Sequence, residues 1–382
     1  MNYINPLKAS IAAEDVYNYR EGSDFSETIK TTNLKFKNEF IFGKDSRFKG
    51  YSGVSTFYAE SGFGVIGRGI ETRNNEAIVI IRGTASLQDW ITDANVGTRM
   101  NANGNRVHEG FDLTFKSFRD ELSRKLPKDI STIHIVGHSL GGALATLTAE
   151  WLKSGPRKDS MTPIVYTFGA PRVGCIDYAS DFTRNIKQEN IFRVYNRQDP
   201  VSMVPSWPFT HYPMPGNGMY VGNSSIINPF KHMMKHYINS CETVDWETLR
   251  NKSQFNTISD QMVENWLDNG IFSGFDNTFA LFHAAINYVI NKAFKVTGVN
   301  TLSNLSDSFT ALDRLSYALE QVSKVSKEVS GLVKKLMMRI LSALGHQFNV
   351  DMNLTASFIR WVLESMQRAI YHKVAVALNI PN

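Results

Sequence analysis

The sequence predicts an α/β fold with a mostly parallel central sheet, extended at its carboxyl end by an all-helical region. Three observations predict it. Short β-rich runs alternate with helical patterns over residues 1–250, the arrangement that builds parallel sheets with covering helices. One of these runs meets a helix across a glycine-bracketed serine, in IHIVGHSLGGALATLTAEWL at 133–152. Beyond about residue 250 the strand pattern stops and only helical periodicity remains. The boundary is drawn there, giving a sheet-based domain over 1–250 and a helical region over 251–382.

In chain order, the strand-like runs are VYNYREG, GFGVIGRGIET, NEAIVIIRG, IHIVG, PIVYTFG and IFRVYN. The first two are joined by turn-like stretches and are expected to pair antiparallel. Helical patterns lie between later runs, at Gly110–Leu126 and Gly142–Lys153. GFGVIG at 62–67 fits G-x-G-x-x-G. Another strand follows it, so no helix amino terminus is offered to a pyrophosphate, and it reads as a glycine-tolerant β segment. Beyond 250, amphipathic helical stretches fall near 258–295, 307–345 and 352–378, with 296–306 as a connecting loop. In the middle stretch Val322, Val325, Val329, Leu332, Val333, Leu336, Ile340, Leu341 and Leu344 step by 3, 4 and 1, which keeps them on one helix face. Lys324, Lys327, Lys334 and Lys335 lie largely outside that face.

The composition belongs to a folded globular chain: 382 residues, 42% hydrophobic and 20% charged. The net charge of +5 is mild. It does not suit a nucleic-acid binder and is compatible with an anionic membrane surface. The amino terminus has no basic start followed by an apolar core, so no cleavable secretory signal is expected. The longest charge-free helical stretch, Asn277–Asn291, is too short for an ordinary membrane span. Cys175 and Cys241 make no disulfide framework. The expectation is a chain that is cytoplasmic, or exported by a route needing no such signal, and not integral to a membrane.

The Gly137-His138-Ser139-Leu140-Gly141 turn, after a strand and before a helix, has the form of a nucleophile elbow. A strained serine there projects its hydroxyl above the sheet, and the amide of Leu140 faces the same spot. The alternative is a serine that merely caps the helix. A nucleophile needs an orienting carboxylate and a base later in the chain. Asp199 follows IFRVYN, near the carboxyl edge of the sheet where α/β sites lie. It could equally be an ordinary turn aspartate before Pro200. Asp181 is the nearest competitor, but it falls in a helical surface pattern. The base is one of His211, His232 and His236. The last two stand four apart on one face of an expected helix, but a zinc site there lacks the following glutamate and a third ligand. His211 falls on an expected hairpin. A second oxyanion donor is offered where a buried-looking strand ends at Arg82-Gly83-Thr84.

IVIIRGTASLQDWITDAN, VHEGFDLTF, IHIVGHSLGGALATL, YTFGAPRVG and VYNRQDPVSMVP resemble, in order, the consecutive blocks of class 3 lipases. The resemblance covers roughly residues 50–240 and implies an α/β-hydrolase fold. It implies Ser139 as nucleophile, Asp199 as orienter, and Thr84 and Leu140 as oxyanion donors. HMMKHY resembles the His-x-Met-x-x-Tyr form of bacterial members, which selects His232 and leaves His236 as second choice. His211 falls where the family has a hairpin histidine that is not catalytic. SLQDWITDAN resembles the family's lid, with Leu87, Trp90 and Ile91 as its apolar face; the alternative is a surface helix whose Trp90 packs permanently inward. No metal or organic cofactor is implied.

The leading reading is a serine lipase or phospholipase, most specifically a phospholipase A1 acting on membrane phospholipid. Residues 201–230 hold no Asp, Glu, Lys or Arg and carry Trp207, Phe209, Tyr212, Met214 and Tyr220. Such a loop suits acyl chains, or forms a buried hairpin. The carboxy-terminal helices suit a membrane surface, or pack on one another and on the main domain. The basic charge and helical extension resemble bacterial phospholipases A1 exported as effectors or toxins, for which an immunity or accessory partner is expected. The alternatives are an esterase or triglyceride lipase for non-membrane esters, and a non-catalytic lipid- or protein-binding module.

Overall fold

A computed structural model of the chain describes residues 3–19, 36, 39–43, 45–52, 59–83, 97–214, 218–224, 226–254, 258–270, 279–297, 310–347 and 353–379. Its strands are β1 (Phe40–Ile41), β2 (Arg47–Ser52), β3 (Ala59–Gly69), β4 (Glu76–Ile81), β5 (Thr98–Met100), β6 (Arg106–His108), β7 (Thr132–His138), β8 (Thr162–Phe168), β9 (Ile191–Asn196) and β10 (Met219–Val221). The sheet-based part carries helices α1 (Pro6–Asp15), α2 (Glu109–Lys125), α3 (Leu140–Ser154), α4 (Ile176–Ile186), α5 (Met234–Cys241) and α6 (Trp246–Gln254). The helical region adds α7 (Asp260–Asn269), α8 (Phe279–Thr297), α9 (Ala311–Val325), α10 (Lys327–Ala343) and α11 (Ala356–Leu378).

The architecture is α/β, with a mostly parallel central sheet. The strand order is β1-β3-β4-β7-β8-β9-β10, with β2 also on β3. From β4 to β10 every pairing is parallel, and β1, β2 and β4 run antiparallel to β3. All six residues of β4 are buried, and six of seven in both β7 and β8. Strands covered on both faces read as near-continuous apolar runs, interrupted here by the buried polar residues Glu76, His134, His138 and Thr167. The register aligns the strand ends where a site can form. Ile81 stands level with Gly137, His138 with Phe168, and Phe168 with Val194.

The amino-terminal run departs from expectation. Val16–Tyr19 of VYNYREG is a turn of 3-10 helix continuing α1, and residues 20–22 lie outside the described residues. Ala9, Ala12, Ala13 and Val16 form one buried face with the sheet, and that packing overrides the β propensity of Val and Tyr. The antiparallel partners of β3 are β1, β2 and β4 instead.

The helical region also breaks more often than its periodicity suggests. The stretch expected as one helix over 307–345 is two, α9 and α10, divided at Ser326. Ser326 is extended and caps α10 by accepting from the Val329 amide. The break swings Val325 out of the apolar face, leaving it 74% exposed, while Val322, Val329, Val333, Leu336, Ile340 and Leu341 stay buried. The 258–295 stretch ends its first helix at Gly270, whose positive φ of 61° is a left-handed stop.

One hydrophobic core runs from the sheet face (Ile135, Val165) and α3 (Leu144) through Val201, Val204 and Tyr212 into the helical region at Ile286, Leu319, Leu336 and Ile370. The boundary drawn at residue 250 falls inside α6, whose Trp246 and Leu249 are buried on the opposite face of the sheet. Both cysteines are free and buried. No helix among the described residues is long and apolar enough to cross a membrane.

Candidate active site

Ser139 sits between β7 and α3 with φ 56° and ψ −131°, a conformation that non-glycine residues rarely adopt. The glycines on either side permit it. A Cβ on Gly137 would lie 2.2 Å from the Gly141 carbonyl oxygen, and one on Gly141 would lie 2.2 Å from that of Ile81. Strand and helix therefore cross too closely for any side chain. Ser139 stands at the helix cap position, yet its side chain makes no capping hydrogen bond. Its Oγ lies 2.9 Å from Nε2 of His232. Leu140 opens α3, so its amide has no partner within the helix and lies at the positive end of the helix dipole.

His232 closes a 3-10 turn, Pro229–His232, which the Asn228 side chain caps at the Phe230 amide and against which α11 packs. Its Nδ1 donates to Asp199 Oδ2 at 2.8 Å. The carboxylate can only accept, so Nδ1 carries the proton and Nε2 is left to accept the Ser139 hydroxyl. Asp199 is fully buried beyond the end of β9. It also receives the Val201 amide at 2.9 Å on Oδ1 and the Tyr237 phenol at 2.6 Å on Oδ2. Three donors satisfy a buried charge that would otherwise be costly. Burial and the adjacent Asp199 carboxylate push the Tyr237 phenol well up, so it stays a donor. The same phenol accepts the Asn196 amide at 3.1 Å. Gly169, with φ 57°, lies beneath the pair. A Cβ there would come within 2.7 Å of Asp199 Oδ2 and 3.2 Å of His232 Nδ1.

The structure thus brings Ser139, Asp199 and His232 into one hydrogen-bonded line. It does not bring in the other histidines. His236 lies in α5 with Lys231 Nζ 3.4 Å from its Nδ1; partial burial, Lys231 and Lys235 hold its imidazole below the ordinary value. The expected shared helix face of His232 and His236 does not form, because extended Met233 separates the turn from α5. His211 is directed elsewhere, with Nε2 2.7 Å from the Ser202 carbonyl. Asp181 pairs with Arg184 on α4. Thr84, Leu87, Trp90 and Ile91 lie outside the described residues.

The uncharged stretch after Asp199 lies largely inside the molecule. Phe209, Tyr212 and Tyr220 are buried, and Trp207 and Met214 pack against the core. Arg172 fastens it by donating to the carbonyls of Met203 and, at 2.8 Å, Pro205. The helical region fastens it too. Gln367 Nε2 donates to Ser206 Oγ at 2.6 Å, and His283 Nε2 to the Phe209 carbonyl at 2.9 Å.

Two residues of the site escaped the sequence reading. Tyr237 served there only as a spacing mark in HMMKHY, the one signal that could have found it. His138 is fully buried with its ring centroid 4.6 Å from that of His232. Its only signal was adjacency to the serine.

Comparison with known proteins finds similarity over part of this chain. The lipase (class 3) family matches residues 78–209. A secreted mono- and diacylglycerol lipase of Fusarium solani is 33% identical over 149 residues, covering 37% of this chain and 43% of that protein. Phospholipase A1-II 1 of Oryza sativa subsp. indica is 25% identical over 214 residues, covering 49% of this chain and 51% of that protein. The alignments therefore span about half the length of these relatives or less. Among solved structures, the lipase of Rhizopus microsporus var. chinensis aligns at 21% identity with a TM-score of 0.42, covering 62% of this chain and 84% of that one.

Proposed function

Because residues 78–209 match the class 3 lipase family, we propose that this chain is a serine hydrolase of lipid carboxylic esters, and specifically a phospholipase A1 working at a membrane surface. The observation that carries the reading is the strained Ser139 with its Oγ on His232 Nε2, itself held by Asp199. In this reading His232 takes the Ser139 proton as the hydroxyl attacks the ester carbonyl. The oxyanion forms against the amide of Leu140, with Thr84 as the second donor. The imidazolium, steadied by Asp199, returns its proton to the leaving alcohol. Water then repeats the cycle on the acyl-enzyme. No step needs a metal or an organic cofactor.

The preference for phospholipid rests on a similarity to plant phospholipase A1 that covers more of the chain than the fungal one does. A second reading, hydrolysis of neutral mono- and diacylglycerols, is favoured by the higher identity to the Fusarium solani lipase. Vesicles of a phospholipid with different acyl chains at its two positions, and emulsions of a diacylglycerol, separate the two by mass spectrometry of products. Release of the first-position chain by wild type and not by Ser139→Ala supports the phospholipase reading. Diacylglycerol hydrolysis alone moves the assignment to the second.

A further inference from the structure

A second line of hydrogen bonds runs beside the triad, through the residue that precedes Ser139. His138 Nε2 lies 2.8 Å from the main-chain oxygen of His232. Its Nδ1 lies 2.8 Å from the Tyr17 phenol oxygen. The Gly83 amide donates to that same phenol at 3.2 Å. The direction of every bond is fixed from the two ends. A carbonyl can only accept, so His138 Nε2 carries the proton. Nδ1 of that neutral ring can then only accept, so the Tyr17 hydroxyl donates to it. The phenol's lone pair takes the Gly83 N–H. Burial and the neighbouring His232 hold the His138 imidazole well below its ordinary value, so the neutral form persists.

The line joins three parts of the site. Gly83 lies just past β4, next to the candidate oxyanion residue Thr84. His138 adjoins the nucleophile. His232 is the base. A Cβ on Gly83 would fall 2.7 Å from the Tyr17 hydroxyl and 3.3 Å from Ser139 Cβ, so glycine is what lets the phenol close the gap. We infer that Tyr17 and His138 are positioning residues, which hold the end of β4 and the backbone of His232 in register with Ser139. This rests on the ester-hydrolase reading. It also makes the turn Val16–Tyr19 part of the active-site scaffold.

The same strand carries a similar line that ends away from the site. The Ile4 amide donates to the Tyr166 phenol at 3.0 Å, Tyr166 is 3.1 Å from His134 Nδ1, and His134 Nε2 donates to Glu76 at 2.9 Å. It ties down the amino terminus without touching the triad, and so serves as a control.

The test compares full-length wild type, Tyr17→Phe, Tyr166→Phe, His138→Gln and His138→Leu. Active sites are titrated with a fluorophosphonate, and turnover of a short soluble ester is expressed per titrated site. Loss of one oriented hydrogen bond in the site is expected to lower kcat of Tyr17→Phe about tenfold with KM nearly unchanged. Tyr166→Phe is expected to melt lower but turn over normally per site. His138→Gln keeps a donor for the His232 carbonyl and is expected to recover turnover lost in His138→Leu. Wild-type kcat per site in Tyr17→Phe, or an equal loss in Tyr166→Phe, overturns the inference. Should the His138 variants not fold, Tyr17→Phe decides. A wild type that neither labels at Ser139 nor hydrolyses ester removes the esterase reading and the inference with it. A labelling wild type beside an unaffected Tyr17→Phe removes the inference alone.

Discussion

Asp199 receives three hydrogen bonds in a fully buried position, and Tyr237 supplies the shortest of them. Removing that hydroxyl leaves a buried carboxylate under-satisfied without touching the serine or the histidine. Tyr237→Phe is therefore expected to lower kcat by roughly tenfold while leaving KM near wild type; steady-state kinetics on a soluble ester would show it, and an unchanged kcat would reduce Tyr237 to packing. The two histidines of HMMKHY separate more sharply. His232→Ala removes the only imidazole on Ser139 and is expected to cost about 10³-fold or more in kcat. His236→Ala leaves the hydrogen-bonded line intact and is expected to stay within about threefold of wild type. The opposite order would move the base to His236. At this scale the sequence offered the candidates by their chemistry. It could not separate them without the family resemblance, because the choice depends on which ring reaches Ser139.

At the scale of elements, the helical region is fastened to the loop that follows Asp199 and to the turn that ends in His232. The residues of its apolar stripes face largely inward, with Val325 and Trp361 among the exceptions. Val333, Leu336, Ile340, Ile359, Leu363 and Ile370 are all buried, so the stripes legible in the sequence are packing faces. Each such side chain contributes about 1.5–3 kcal/mol when fully buried, and removal would also strip Val201, Val204 and Tyr212 of their cover. Deletion of residues 255–382 is accordingly expected to yield aggregated, inactive protein. A soluble fragment with normal melting and esterase activity would show that the sheet-based part stands alone. A milder probe is Gln367→Ala, which leaves the buried Ser206 hydroxyl without its donor. A loss of about 1–2 kcal/mol is expected in denaturant unfolding, and no change would mean that this contact holds nothing.

For the whole molecule, four histidines are buried in forms that resist protonation. Burial lowers the pKa of His134, His138, His211 and His283, the last to about 3. The unfolded chain takes up these protons near pH 6.5, while the folded one does not. Their contribution is therefore complete above about pH 6.5 and is lost as the pH falls below it, by up to about 1.4 kcal/mol per pH unit for each histidine. Glu150 opposes the trend, since burial raises its carboxyl. The expected result is a melting temperature that is flat from pH 8 to 7 and falls steeply toward pH 4. A flat profile across that range would contradict the assignment of neutral buried imidazoles.

The sequence by itself determined the fold class, through short β-rich runs alternating with helical patterns, and it marked the strand–serine–helix turn, because each of those signals lies within a few residues. Its periodicity found helices beyond residue 250 but ran through the break at Ser326, where one capping side chain outweighed the pattern. It misread Val16–Tyr19 because β propensity is weaker than packing on a sheet. Tertiary structure alone decided which groups meet. His232 reaches Ser139 across 93 residues and Asp199 across 33, and Tyr17 reaches His138 across 121. Local preferences carry no information about such pairs. They form only when the level ends of parallel strands, and the turns beyond them, bring distant side chains within hydrogen-bond length.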